Sequence, residues 1–160
     1  MEKTQLLKEF KEDFEKMKEE LKFKSNFEDL NNIFFIDDFV LKTEFVSNRL
    51  SRQICSRIVE TYMNWNNYLH SIIITNPQNM INVTESKVFN EEERLDIRKL
   101  MTKAMALVST NTLIGLTKDK KAEAKFIDDS VSFWVNEFGI KIEEIMKKVN
   151  DEWKQRAEKS

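Results

Sequence analysis

KKAEAKFIDDSVSFWVNEFGIKIEEIMKKVNDEWK, residues 120–154, places apolar side chains at Ala124, Ile127, Val131, Trp134, Phe138, Ile142, Ile145, Val149 and Trp153. Steps of three and four keep these on one side of an α-helix, and the register passes Gly139 without a phase change. The spacing predicts a last helix over about 118–157, continuous or only kinked at Gly139, and roughly 60 Å long at 1.5 Å per residue. A small bundle cannot cover that length. One end therefore projects, and its Ile142, Ile145, Val149 and Trp153 need a partner.

The other end of the chain offers one. Leu7, Phe10, Phe14, Met17 and Leu21 follow one another at intervals of three and four, a coiled-coil-like seam over two heptads. So short a seam is marginal alone in water. Pairing the two ends satisfies both, so the expected architecture is all-α: an antiparallel bundle of about five helices in a single domain, 1–160. Residues 1–24 and 140–157 pair as an extended arm and 26–139 form the body. Dimerisation through the two seams is the alternative.

Three helices fill the interval. Ser25 and Glu28 have capping-box spacing, and Phe27, Leu30, Ile33, Phe34 and Leu41 then keep a helical period, which predicts a second helix over about 26–41. Apolar residues surround it nearly completely at Ile33-Phe34-Phe35-Ile36, so deep burial is expected. After a break at 42–47, Leu50, Ile54, Ile58, Trp65, Leu69 and Ile72 mark a third helix ending before Asn76-Pro77. Residues 76–89 read as a long connection. Asn90 and Glu93 form a second capping box, and Ile97, Leu100, Met101, Ala104, Leu107 and Val108 give a fourth helix that should stop at Gly115, with Leu116 sealing the end and Thr117 capping the next helix.

Composition agrees with a helical protein. Of 160 residues only two are Gly and one is Pro, while 34% are charged and 41% hydrophobic. The single cysteine, Cys55, rules out an internal disulfide framework or a multi-cysteine metal site and points to a reducing, cytoplasmic setting. We read it as a small hydrophobe on a helix. The opening MEKTQLLKEF has no signal-peptide core, and the longest aliphatic run is Ile72-Ile73-Ile74, so neither export by that route nor membrane association is expected. Asn82-Val83-Thr84 fits a glycosylation pattern by coincidence. The net charge of -2 exerts no global pull on nucleic acid.

Chemical motifs are missing. Two glycines cannot build a phosphate loop, and His70, the only histidine, has no second histidine or Glu-x-x-His beside it. Asp37-Asp38 and Asp128-Asp129 are neighbours on a helix that point apart. No catalytic residue, metal ligand or cofactor is expected.

One anomaly remains: no Asp, Glu, Lys or Arg occurs from Thr61 to Thr84. On the third helix the polar face changes from Arg49, Gln53 and Arg57 to Asn64, Asn67 and Ser71. An uncharged amide face is cheaper to desolvate than a Lys or Glu face, so this half should be covered by the 76–89 connection, a protein partner or a ligand. Three functional readings follow. The leading one is a non-enzymatic interaction module, an adaptor or regulatory subunit, with Trp65, Tyr68, His70, Asn76, Gln78, Asn79 and Met80 touching a protein partner. The second is nucleic-acid contact through Arg49, Arg52 and Arg57. A pocket around Asn64, His70 and Asn111 is the third; Asn111 lies mid-face on the fourth helix, where a buried amide needs a partner.

Overall fold

The computed structural model describes residues 2–160. In chain order the elements are α1 (Lys3–Leu21), α2 (Phe27–Phe34), α3 (Asp37–Thr43), α4 (Leu50–Ile73), α5 (Met80–Ser86), α6 (Glu91–Thr117), α7 (Lys120–Phe133), a π-helical turn (Trp134–Phe138) and α8 (Gly139–Lys159). The all-α class holds, and no strand occurs among the described residues. No helix among them is long and apolar enough to cross a membrane. The chain divides into two compact units, Met1–Thr61 with Leu107–Ser132, and Tyr62–Ala106 with Phe133–Ser160.

In the first unit, the α1 phenylalanines close an aromatic cluster. Phe10 meets the rings of Phe27 and Phe39 edge-on at 5.3 and 5.8 Å, and Phe14 meets Phe23 and Phe27 at 5.7 and 5.4 Å. Both rings are fully buried, with Leu6 rather than Leu7 beside them. The α1 seam thus has aromatic partners a few residues downstream, within its own unit.

The second expected helix is two helices. Phe35 takes a left-handed φ of 54° and its N–H closes α2 on the Asn31 carbonyl. Asn31 then locks the corner, accepting from the Asp37 N–H at 3.0 Å and donating to the Asp37 carboxylate at 3.2 Å. Phe34, Ile36 and Val40 are buried, but the Phe35 ring faces out, so the apolar run is not enclosed all round. Ser25 is not the cap either. Asp128 accepts from the backbone N–H groups of Lys24 and Ser25 and from the Ser25 hydroxyl, which leaves Asn26 to cap α2 through the Asp29 N–H.

The fourth helix runs past Gly115 to Thr117, where Lys118, with φ 57°, turns the chain. Leu116 is exposed and seals nothing. Thr117 donates its hydroxyl back to Leu113, and Asp119 caps α7 by accepting from Ala122. The capping box of Asn90 and Glu93 forms reciprocally, at 3.1 and 2.8 Å.

In the second unit, the helical register passes Gly139 as the sequence indicates, but through a π turn. The Gly139 N–H reaches the Trp134 carbonyl five residues back. The turn surrounds Tyr62, which is fully buried with Phe133, Trp134 and Phe138 at ring distances of 5.7, 6.0 and 5.0 Å. Burial drives the Tyr62 phenol far above its ordinary pKa. The residues 76–89 contain α5, where a connection without regular structure was expected; Asn79 caps it by accepting from the Asn82 N–H.

Candidate functional site

Within the second unit the uncharged polar face of α4 is left largely open, with Asn64, Asn67 and His70 exposed where a covered face was expected, while the neighbouring side chains make internal contacts. Asn66 is buried and donates its amide to the Met101 carbonyl at 3.1 Å. Tyr68 donates its hydroxyl to Glu85 at 2.7 Å, and Trp65 packs edge-on against the Tyr68 ring. Burial first, then the Glu85 carboxylate, hold the Tyr68 phenol protonated well above its usual range. Arg94 fastens the segment by forking to three carbonyls, Ile72 at 2.9 Å, Ser86 at 2.5 Å and Phe89 at 3.3 Å. A guanidinium suits this role because its donors are fixed in one plane.

The turn between α4 and α5 is held by its own asparagines. Asn82 accepts from the Asn76 N–H at 2.6 Å and donates to the Ser71 carbonyl at 2.7 Å. Asn76 accepts from the Gln78 N–H at 3.0 Å. The amide in the glycosylation-like triplet is thus committed to the fold. Around this frame stand the exposed side chains Ile74 at 64%, Met80 at 75% and Ile81 at 59%. An apolar tip with no charge and with its backbone donors met by side chains loses little on desolvation.

The seven residues read from sequence as a partner surface divide accordingly. Asn76, Gln78, Asn79 and Met80 lie exposed on the turn, and His70 is exposed on α4, whereas Trp65 and Tyr68 are half-buried and spent on internal contacts. Ile74, Ile81, Asn82 and Arg94 were not singled out. Ile74 could have been, because it ends an aliphatic run in which Ile72 already carries the buried stripe.

The arginine face is dispersed by its contacts in the first unit. Arg52 pairs with the buried Glu123 at 3.0 Å and donates to the Asn111 carbonyl at 3.3 Å. Arg57 donates to the Phe34 carbonyl at 2.8 Å and pairs with Glu60 and Asp38 at 3.1 and 3.6 Å. Only Arg49 of the three is exposed with its guanidinium uncommitted among the described residues. The lysines near the start of α7 are also partly engaged, Lys125 with Asp129 at 2.5 Å and Lys120 with Glu123 at 3.9 Å.

The set Asn64, His70 and Asn111 is not assembled within either unit. Asn64 and His70 are exposed and six residues apart on one helix, about 120° around its axis. Asn111 belongs to the first unit, where its side-chain oxygen is buried without a hydrogen-bond partner. Among the described residues no group of three or more His, Cys, Asp or Glu is placed to hold a metal ion. Cys55 is buried, and burial, with Glu123 adding to it, pushes its thiol up to about 12. That is a protonated, unreactive sulfur.

Compared with known proteins, the chain matches no family model, no curated protein and no solved structure.

Proposed function

We propose that the protein is a non-enzymatic interaction module that presents the α4–α5 turn to a protein partner. The observation that carries this reading is the combination of three exposed apolar side chains, Ile74, Met80 and Ile81, with a backbone frame pinned by Asn76, Asn79 and Asn82. A rigid tip loses little conformational entropy when it docks, and its uncharged surroundings carry no ionic desolvation penalty. Three exposed apolar side chains on one turn make a small docking surface. It is smaller than the roughly 800 Å² per partner of a standard stable complex. The partner is accordingly one that receives a convex tip in an apolar hollow. A reducing, cytoplasmic setting suits the one free thiol of Cys55.

The test compares wild type with Met80→Asp and Ile81→Asp in pull-downs over a salt series. All three side chains are exposed, so helicity and melting should match across the proteins. Capture of one protein that is insensitive to salt and abolished by either substitution supports the module. Capture unchanged by both substitutions rejects the tip. Binding that weakens steeply with salt and falls on Arg49→Ala would transfer the function to nucleic acid.

A further inference from the structure

The first unit holds a polar hollow of about 400 Å³ between α3 and the first half of α4. Arg49, whose carbonyl accepts from the Gln53 N–H at 3.1 Å and so starts α4, shares one face with Gln53, Ser56 and Glu60 at steps of four, three and four. Asp38, Phe39 and Lys42 line the facing wall from α3.

The two walls sort their charges by position. Arg57 reaches across to Asp38 at 3.6 Å and also holds Glu60 at 3.1 Å, so at that end both carboxylates face a cation. Lys42 lies further along α3 and Arg49 further back along α4, which places them together at the opposite end, one on each wall. Neither side chain is in an ion pair or a hydrogen bond among the described residues. Glu44, the one acid on the segment joining the two helices, does not line the hollow, and Arg52 beside them is already matched by Glu123.

Two unmatched cations that meet from separate elements suit a dianion, and the Gln53 amide and Ser56 hydroxyl add neutral donors on the Arg49 wall. At the far end the Asp38 and Glu60 carboxylates keep lone pairs that can accept from hydroxyl groups. The half-buried Phe39 ring lies between these ends on the α3 wall. The volume is more than a lone inorganic anion fills and lies within the roughly 300–1,000 Å³ of small-molecule sites.

We propose that this hollow binds a small phosphate monoester on a hydroxylated body, of the sugar phosphate or nucleoside monophosphate kind. Its phosphoryl group, which carries about -1.5 to -2 charge near neutral pH, sits between Lys42 and Arg49, and its body extends over Phe39 toward Asp38 and Glu60. The hollow shares no residue with the α4–α5 turn, and neither reading depends on the other.

Titration calorimetry of the full chain with glucose 6-phosphate and with adenosine monophosphate tests it, with inorganic phosphate, glucose and an oligonucleotide lacking terminal phosphates as comparisons. One saturable site per chain is expected for at least one ester, tighter than for inorganic phosphate and absent for glucose; the ester preferred tells whether the body is a sugar or a nucleoside. Lys42→Gln and Arg49→Gln, both at exposed positions, should each weaken it about tenfold, as expected for losing a charge-assisted contact, while Lys154→Gln, an exposed cation of α8, leaves it unchanged. The proposal is overturned by absence of saturable uptake of both esters, by equal affinity for inorganic phosphate or glucose, by affinity unaltered in either variant or lowered as much by Lys154→Gln, or by binding to the oligonucleotide without binding to a monoester.

Discussion

Arg52 and Glu123 are held 3.0 Å apart with the glutamate side chain only 2% exposed, and the arginine's other terminal nitrogen is anchored on the Asn111 carbonyl. This pairing decides how an arginine substitution on that face will read out. Arg52→Ala leaves a carboxylate buried with only Lys120, 3.9 Å away, near it, and one of its oxygens already has no hydrogen-bond partner. Stranding the buried carboxylate costs about 1–3 kcal/mol, less than for a wholly buried pair because the Arg52 side chain is 32% exposed, whereas replacing both partners by apolar groups is far milder. Urea denaturation should show Arg52→Ala strongly destabilised and Arg52→Met with Glu123→Leu closer to wild type. Equal losses in the two would mean that the pair is not buried in solution.

Gly139 and Gly115 should respond to alanine with opposite signs. In a helix interior alanine is favoured over glycine by about 1 kcal/mol. At Gly115 the added carbon would meet only the tip of Arg52 at 3.4 Å, so Gly115→Ala should stabilise. At Gly139 it would fall 2.7 Å from the Trp134 indole nitrogen and 2.9 Å from the Trp134 carbonyl. Overpacking of this kind costs about 1–3 kcal/mol, which outweighs the propensity gain. A melting temperature raised by Gly139→Ala would refute the close approach of Trp134.

How much of this was legible in the sequence follows from the range of each interaction. The helical class, the Asn90–Glu93 capping box and the α4 stripe rest on spacings within a few residues, and these hold. The α2–α3 corner was missed because Asn31 and Asp37 share a bond that ordinary helix periodicity does not reveal. Ser25 was misassigned because Asp128, over a hundred residues away, claims its hydroxyl. The π turn left no trace either, since one extra residue within a broad apolar face keeps the pattern of threes and fours. For the candidate surface, the charge gap marked the segment in which the exposed apolar side chains Ile74, Met80 and Ile81 lie. It could not separate Trp65 and Tyr68, which face inward, from Ile74 and Ile81, which face out, because the path of residues 75–82 depends on asparagine side chains.

Asn82 should control the order of that turn. Its side chain makes two hydrogen bonds, to Asn76 and Ser71, each worth about 1 kcal/mol net. Asn82→Ala should therefore lower stability by about 2 kcal/mol, and hydrogen exchange should show protection lost at the Asn76 amide. Asn82→Asp keeps the acceptor for Asn76 but loses the donor to Ser71, so that amide stays protected while stability still falls. Loss of Asn76 protection in both variants would mean that the acceptor is not what holds the turn.

Cys55 gives a pH dependence of known sign. Its thiol is raised from 9.0 to about 12, chiefly by burial and then by Glu123, with Arg52 and Lys120 opposing. Above pH 9 the unfolded chain loses the thiol proton while the folded chain keeps it, so the folded state binds more protons and its stability falls as pH rises through this window. The slope approaches about 1.4 kcal/mol per pH unit for one group. Stability is thus fully present below pH 9, and the loss should reach about 2.7 kcal/mol by pH 11. Other groups titrate there too, so the measurement is the difference between wild type and Cys55→Ala in urea midpoints from pH 8 to 11. The alanine variant begins less stable because of the cavity it leaves, and the gap should narrow as pH rises. A gap that stays constant over this range would mean that the thiol ionises as readily in the folded protein as in the unfolded one.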